Sequence, residues 1–179
     1  MELDRVLASL APRVLRFSLG WTADPALAEE VAQEALAALV GRWRRHGPPD
    51  EPAAFVLAIA RRRARRAVFR RSLLRPLSAM LDGAAPGPGS EEVLLQRAEL
   101  RRTVEAMRHL PTRDREALLL VALGELSLEE SSRVLSVSVP ALKMRVHRAR
   151  IRLRELLAPA GEECPDESTT RAPHRRRAT

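Results

Sequence analysis

The sequence of 179 residues contains one cysteine, no tyrosine, two tryptophans and three phenylalanines. A single cysteine, Cys164, excludes an intrachain disulfide and a cysteine-rich zinc site. The four histidines, His46, His109, His147 and His174, are scattered without the spacing of metal ligands. We therefore expect no metal and no cofactor. Because aromatic residues are scarce, the core must consist mainly of Leu, Val and Ala, which favours helices.

Long apolar segments are also absent, since no run approaches the 18 residues that a membrane-spanning helix needs. The first residues, Met1-Glu2-Leu3-Asp4, are acidic and do not resemble a signal peptide. We therefore expect a soluble, cytoplasmic protein without membrane insertion. An enzyme is not expected, because the sequence shows no nucleophile with a base, no suitably placed carboxylate pair and no glycine-rich phosphate loop.

Basic residues outnumber acidic ones, giving a net charge of +8 and a pI of about 11.3. Residues 1–71 and residues 96–158 each carry 13 basic and 8 acidic side chains, whereas residues 72–95 carry one basic and three acidic ones. A basic balance of this kind favours a nucleic-acid partner. The two blocks predict two separate contacts with one polyanion.

Apolar residues recur at helical spacing through most of the chain, and no strand pattern is visible. A flexible linker is indicated by the sequence GAAPGPG at residues 83–89. The prediction is an all-α fold of two small helical domains, residues 1–71 and 94–158, joined by a flexible linker over 72–93 and followed by a disordered tail, 159–179. Helices are predicted over residues 3–19, where Pro12 is a site for a kink or a split, and over 25–43, 52–71, 91–109 and 113–123.

The strongest local signal is a helix-turn-helix. Ser127 and Glu130 have capping-box spacing and predict a helix from Leu128 to Leu135. A turn over residues 136–138 follows, and Ser138 then caps a second helix with Pro140 in its first turn.

The second helix of this motif has an apolar stripe and a basic side. The stripe consists of Leu142, Val146, Ala149 and Leu153, which fall on one face and should be buried. The basic side suits the major groove of DNA, although a solvated face on an ordinary helical pair is the alternative. The candidate contacts are Lys143, Met144, His147 and Arg148, supported by Ser138, Ala141 and Arg145.

Two further surfaces lie in the first half of the chain. Residues 61–71 include seven arginines, whose mutual repulsion a polyanion would relieve, so phosphate binding is favoured over a solvated face. The preceding helix carries an acidic patch, which is either a solvated face or a docking surface for a protein partner. The patch consists of Glu29, Glu30, Gln33 and Glu34.

Taken together, these segments resemble a family. The sequences LPTRDREALLL at residues 110–120, LSLEE at 126–130 and VPALKMRVHRARIRLR at 139–154 are similar to the fourth conserved region of bacterial extracytoplasmic-function (ECF) sigma factors. The sequence AEEVAQEAL at residues 28–36, together with Phe55 and the IAR of residues 59–61, resembles the second conserved region of that family.

The resemblance implies a dissociable subunit that binds core RNA polymerase and directs it to promoter DNA, with an anti-sigma factor as a further candidate partner. Region four would read the upstream promoter element through the helix-turn-helix, and the acidic patch would bind the polymerase. Region two would capture and open the downstream element. The residues assigned to that step are Arg44, Arg45, Phe55, Arg61, Arg62, Arg65 and Arg66.

Several positions depart from the family pattern. Ser136 stands where a turn glycine is usual, and serine tolerates a positive φ there less well than glycine does. Ser132 replaces a small alanine, so its hydroxyl requires a hydrogen-bond partner. The alternatives to the sigma-factor interpretation are a stand-alone helix-turn-helix regulator and a sigma-like protein-interaction adaptor.

Overall fold

The computed structural model describes residues 2–78 and 91–158, which form seven α-helices and no strand within those ranges. The helices are α1 (Glu2–Thr22), α2 (Pro25–His46), α3 (Pro52–Ser78), α4 (Glu91–Arg108), α5 (Thr112–Ala122), α6 (Leu128–Leu135) and α7 (Val139–Leu157). The all-α prediction is confirmed. Within the described ranges, no helix is both long enough and apolar enough to cross a membrane.

Helix boundaries follow the predicted capping residues closely. Asp24 caps α2 by accepting a hydrogen bond from the amide of Leu27 at 3.0 Å. Helix α1 continues through Pro12, so the split considered for that position does not occur. Helix α3 runs to Ser78, seven residues beyond its predicted end, and α4 begins at Glu91. Both ends of the predicted linker 72–93 are therefore helical. The centre of that linker and the predicted tail 159–179 lie outside the described residues.

The helices form two groups, α1–α3 and α4–α7. In the first group each helix packs against the other two, and in the second α7 packs against α4, α5 and α6. Leucine, valine and alanine dominate the core as predicted, and the fully buried side chains include Val14, Leu39, Leu57, Leu119 and Leu142.

The two domains also pack against each other, a contact that the sequence did not predict. Helix α1 touches α4 and α5, and α3 touches α6. Gly20 makes the approach of α1 possible, because a Cβ atom there would lie 2.6 Å from Cδ2 of Leu119 and 2.9 Å from Cδ1 of Leu123. Near the end of α5, Arg13 donates hydrogen bonds to the carbonyl oxygen of Gly124 through Nε at 3.1 Å and Nη2 at 2.6 Å.

The predicted capping box at α6 is present with both of its hydrogen bonds. The amide of Glu130 donates to Oγ of Ser127 at 3.1 Å, and the amide of Ser127 donates to Oε2 of Glu130 at 2.8 Å. Hydrogen bonding to the side chain and then to the backbone of Ser127 lowers the pKa of Glu130 below its ordinary value. The ionised carboxylate therefore stabilises the start of α6.

Ser127→Ala should lower the free energy of unfolding by about 1 kcal/mol at neutral pH, because the cap of α6 is lost. Glu130 has a lowered pKa in the folded chain, so its stabilising contribution is present above the ordinary value of 4.5 and is lost as the pH falls through the folded value. The difference in unfolding free energy between the variant and the wild type, measured by denaturant titration, should therefore shrink on acidification.

Ser138→Ala is the matched control. Ser138 caps α7 by accepting from the amide of Ala141 at 3.4 Å, but the first turn of α7 contains no acidic residue. Its effect on stability should lack the shrinkage on acidification that is expected for Ser127→Ala. An identical pH dependence for both variants would contradict the role given to Glu130.

Candidate nucleic-acid interface

The turn between α6 and α7 has the backbone conformation that the sequence required. Ser136 ends α6 with φ 53° and ψ 50°, the left-handed conformation expected where the family usually has glycine. The hydroxyl of Ser132 finds its partner in the carbonyl oxygen of Glu129 at 2.8 Å. Ser138 then caps α7, and Pro140 lies in the first turn of that helix. These residues form the predicted helix-turn-helix.

Helix α7 turns its apolar stripe inward and its basic side outward. Leu142, Val146 and Ala149 are buried, and Leu153 packs against the same core. Four of the predicted DNA-contacting residues, including Met144 with 54% of its surface exposed, are on the outside. Ser138 is also exposed, whereas Ala141 and Arg145 are half-buried. The exposed four are Lys143, Met144, His147 and Arg148.

Arg148 differs from its neighbours because an internal carboxylate holds it. Its Nη2 donates to Oδ1 of Asp114 at 3.0 Å, and its Nε faces Oδ2 at 3.3 Å. This hydrogen-bonded pair raises the pKa of Arg148, so the guanidinium remains charged. The pair orients Arg148 against α5. Lys143 and His147 are also exposed on this surface, and neither forms an ion pair among the described residues.

The four α3 arginines that were assigned to the downstream element divide into two sets, which differ in whether they face Glu116. Arg62 and Arg66 are exposed. Arg61 instead faces Glu116 of α5, with Nε 2.9 Å from Oε1 and Nη2 donating to Oε2 at 3.0 Å. Nη1 of Arg65 lies 3.7 Å from the same Oε1 atom. Two of the four α3 arginines assigned to the downstream element are thus occupied by a carboxylate of the second domain.

The remaining predicted residues of the first domain are mostly exposed. Arg44 and Arg45 lie in the last turn of α2 and are open to solvent. Phe55 is half-buried and packs against the hydrophobic core.

The acidic patch lies on the exposed side of α2. Glu29, Glu30, Gln33 and Glu34 are all exposed, as the helical spacing predicted. Glu34 forms an ion pair with Arg63 of α3. Among the described residues, the ion pairs include none with Glu29 or Glu30, so these two carboxylates dominate the charge of the patch.

Sequence reasoning missed the charged residues at the start of α5. Asp114 and Arg115 are 8% exposed and Glu116 is 3% exposed. Their sequence signal was weak because a charged triplet in a helix is normally solvated. Helix α5 instead packs on both sides. Asp114 pairs with Arg148 of α7 in its own domain, whereas Glu116 pairs with Arg61 of α3 in the other domain. The guanidinium carbon of Arg115 lies 4.1 Å from the centroid of the Trp21 ring of α1.

Comparison with known proteins identifies both domains. Residues 6–73 match the family described as Sigma-70 region 2, and residues 100–153 match Sigma-70, region 4. A probable RNA polymerase sigma factor, RfaY of Xanthomonas campestris, is 32% identical over 161 residues, and the ECF RNA polymerase sigma factor SigD of Mycobacterium tuberculosis is 29% identical over 170 residues. The chain is an ECF sigma factor.

The extent of the matches differs between relatives of this sigma factor. The alignments cover 86% of the chain but 40% of RfaY, and 89% of the chain but 79% of SigD. A co-crystal structure of the sigma factor RpoE with the anti-sigma factor NepR from Bartonella quintana has a TM-score of 0.66 and 22% identity. It covers 87% of this chain and 96% of RpoE, a likeness that shows the fold.

Glu116→Gln should loosen the contact between the two domains of the sigma factor, because Arg61 and Arg65 lose their shared negative charge. We expect a larger radius of gyration by small-angle X-ray scattering. Release of two arginines should also steepen the salt dependence of non-specific DNA binding by about two units of log–log slope.

Glu105→Gln provides the control for this change. Glu105 is exposed and pairs with Arg108 within α4, so its neutralisation alters no contact between domains. Equal radii and equal salt slopes for Glu116→Gln and the wild type would show that the buried carboxylate does not hold the domains together.

Proposed function

We propose that this sigma factor binds core RNA polymerase through α2 and directs it to promoters by reading the upstream element with α7 and opening the downstream element with α3. The observation that carries the proposal is the helix-turn-helix with an exposed basic side on α7, in the same chain as an exposed acidic patch on α2. A polymerase-independent regulator is not favoured, because it would leave region two without a role.

The upstream contact is supported by the geometry of α7. Lys143, Met144 and His147 project from its first three turns, the part of a recognition helix that meets base edges in the major groove. Lys143 supplies a charge for phosphate or guanine, and Met144 supplies an apolar group that suits a thymine methyl. Arg148, held by Asp114, contributes a guanidinium in a fixed orientation.

The downstream contact is supported by the arginines of α3 and the basic end of α2. Arg62 and Arg66 are exposed, and Arg44 and Arg45 add two further charges near the loop that joins α2 to α3. These groups are suited to the backbone of a melted strand. Phe55 acts mainly through packing in this proposal, since its ring lies against the core.

Full use of the α3 arginines requires the domains to separate. Arg61 and Arg65 face Glu116, so these two arginines cannot bind DNA phosphates while α5 remains in place. We therefore propose that the described arrangement is a closed form and that promoter binding uses an open one. The RpoE co-crystal structure contains an anti-sigma factor, and a partner of that class is proposed here as a means of retaining the closed form.

The proposal assigns no catalytic residue and no cofactor to this chain, and it places the protein in the cytoplasm, where core polymerase and DNA are found. Its chemistry is binding and strand separation.

Replacing Lys143 and His147 with alanine should reduce promoter-specific transcription at least tenfold, because base contacts contribute roughly 1–3 kcal/mol each. The measurement is transcription in vitro with core polymerase and the genomic fragment directly upstream of this gene. Arg101→Ala is the charge-matched control, since Arg101 is exposed on α4. Equal transcription by the double variant and the wild type would remove α7 from promoter reading.

Glu30→Lys should weaken binding to core polymerase at least fivefold without lowering the free energy of unfolding, because Glu30 is exposed and has no ion pair among the described residues. Binding is measured by fluorescence anisotropy without DNA. Glu99→Lys on α4 carries the same charge change at another exposed position and should bind normally. Normal binding by Glu30→Lys would exclude this carboxylate from the polymerase surface.

A further inference from the structure

A cavity between the two domains is lined by four arginines and by no acidic residue. It has a volume of about 570 Å³, within the usual range of small-molecule sites, and lies where α1, α3 and α5 meet. Its polar lining consists of Trp21, Arg62, Arg65, Arg66, Thr112 and Arg115. An electropositive cavity of this size is suited to a small anion of high charge.

Arg115 is the unusual member of this lining. It is 8% exposed, and its Nε atom is buried without a hydrogen-bond partner among the described residues. Its neighbour Glu116 is already engaged by Arg61 and Arg65. Burial and then the charge of Arg108 lower the pKa of Arg115, and the charge of Glu116 offsets only part of this. A bound anion would stabilise a buried guanidinium in this situation.

Two further residues of the cavity lining, Trp21 and Thr112, carry hydrogen-bond donors. The indole ring of Trp21 lies 4.1 Å from the guanidinium carbon of Arg115, and its Nε1 atom is buried without a hydrogen-bond partner among the described residues. Thr112 begins α5, whose N-terminus has no side-chain cap because Pro111 occupies the capping position. Uncapped amides at a helix start bind phosphate well, and the hydroxyl of Thr112 adds a donor.

We propose that this cavity is a binding site for a small phosphate-bearing anion, with the buried Arg115 guanidinium as its anchor. Arg66 and Arg62 of α3 supply charge from one domain, and Arg115 and Thr112 of α5 supply donors from the other. The anion therefore bridges the domains and favours the closed form over the open one. Anion binding at this site does not depend on the proposed function. An effect of the bound anion on promoter binding would depend on it.

A neighbouring cavity provides an internal comparison. It is lined by Arg61, Arg113 and Arg145 among others, but it also contains the carboxylate of Glu116. Its charge is therefore partly compensated within the protein. Arg113 lies on the same helix as Arg115 but is exposed, and it lines this second cavity and not the first. It is a suitable control position.

Isothermal titration calorimetry of the full chain with inorganic phosphate, pyrophosphate and ATP tests the proposal without polymerase or DNA. We expect saturable binding of one anion per chain and a decrease in the radius of gyration on binding. Arg115→Gln should weaken binding at least tenfold and Arg66→Gln at least threefold, whereas Arg113→Gln should leave it unchanged. The tightest of the three ligands indicates whether the source is a free phosphate or a nucleotide.

The proposal is overturned if none of the three ligands binds saturably at millimolar concentration. It is also overturned if Arg113→Gln weakens binding as much as Arg115→Gln, since the anions would then be attracted by surface charge. Arg66→Gln alters an exposed side chain, so it keeps the test valid if Arg115→Gln fails to fold. A negative titration result would not contradict promoter-directed transcription by the sigma factor, and a negative transcription result would not contradict anion binding.

Discussion

The buried carboxylate of Glu116 links the two halves of this molecule. The side chain belongs to region four and is only 4% exposed, yet its charged partners, Arg61 and Arg65, belong to region two. A carboxylate removed from water needs positive partners nearby, and the closed arrangement supplies them. The same contact occupies two arginines that the proposed function assigns to DNA. Domain packing and DNA binding therefore draw on one set of side chains.

Acidic residues allow two basic domains to pack together. Residues 1–71 and 96–158 both have an excess of basic side chains, so their approach is opposed by repulsion. Glu51 pairs with Arg133, and Glu125 pairs with Arg16, each across the boundary between domains. The acidic side chains at this boundary are thereby neutralised. The exposed basic side of α7 lies away from these ion pairs and keeps its positive charge.

Local features of the fold could be predicted from sequence because their causes are local. The capping box at Ser127, the cap at Asp24 and the buried stripe containing Leu142 depend on residues three or four positions apart. The same reasoning found the acidic patch and the basic side of α7, since helical periodicity alone decides which side chains share a face. The left-handed Ser136 was predicted only through the resemblance to a family that has glycine there.

The contact between domains could not be predicted in this way. Glu116 and Arg61 are 55 residues apart, and nothing in the spacing around either one indicates the other. Charged residues in a helix are expected to be solvated, so the burial of Arg115 against Trp21 could not be anticipated from the sequence. Gly20 gave no signal either, because its role is to allow α5 to approach and depends on Leu119.

The two kinds of contact between domains respond differently to conditions, and this difference decides how the closed form gives way. Exposed ion pairs such as Arg16 with Glu125 are weak and screened by salt, whereas the apolar contact of Gly20 with Leu119 is insensitive to salt. Salt alone should therefore not open the molecule. In the proposed function, DNA phosphates replace Glu116 as the partner of Arg61, while opening returns that carboxylate to water. The loss of the buried ion pair is then offset for both partners, because Arg61 gains a phosphate and Glu116 gains hydration.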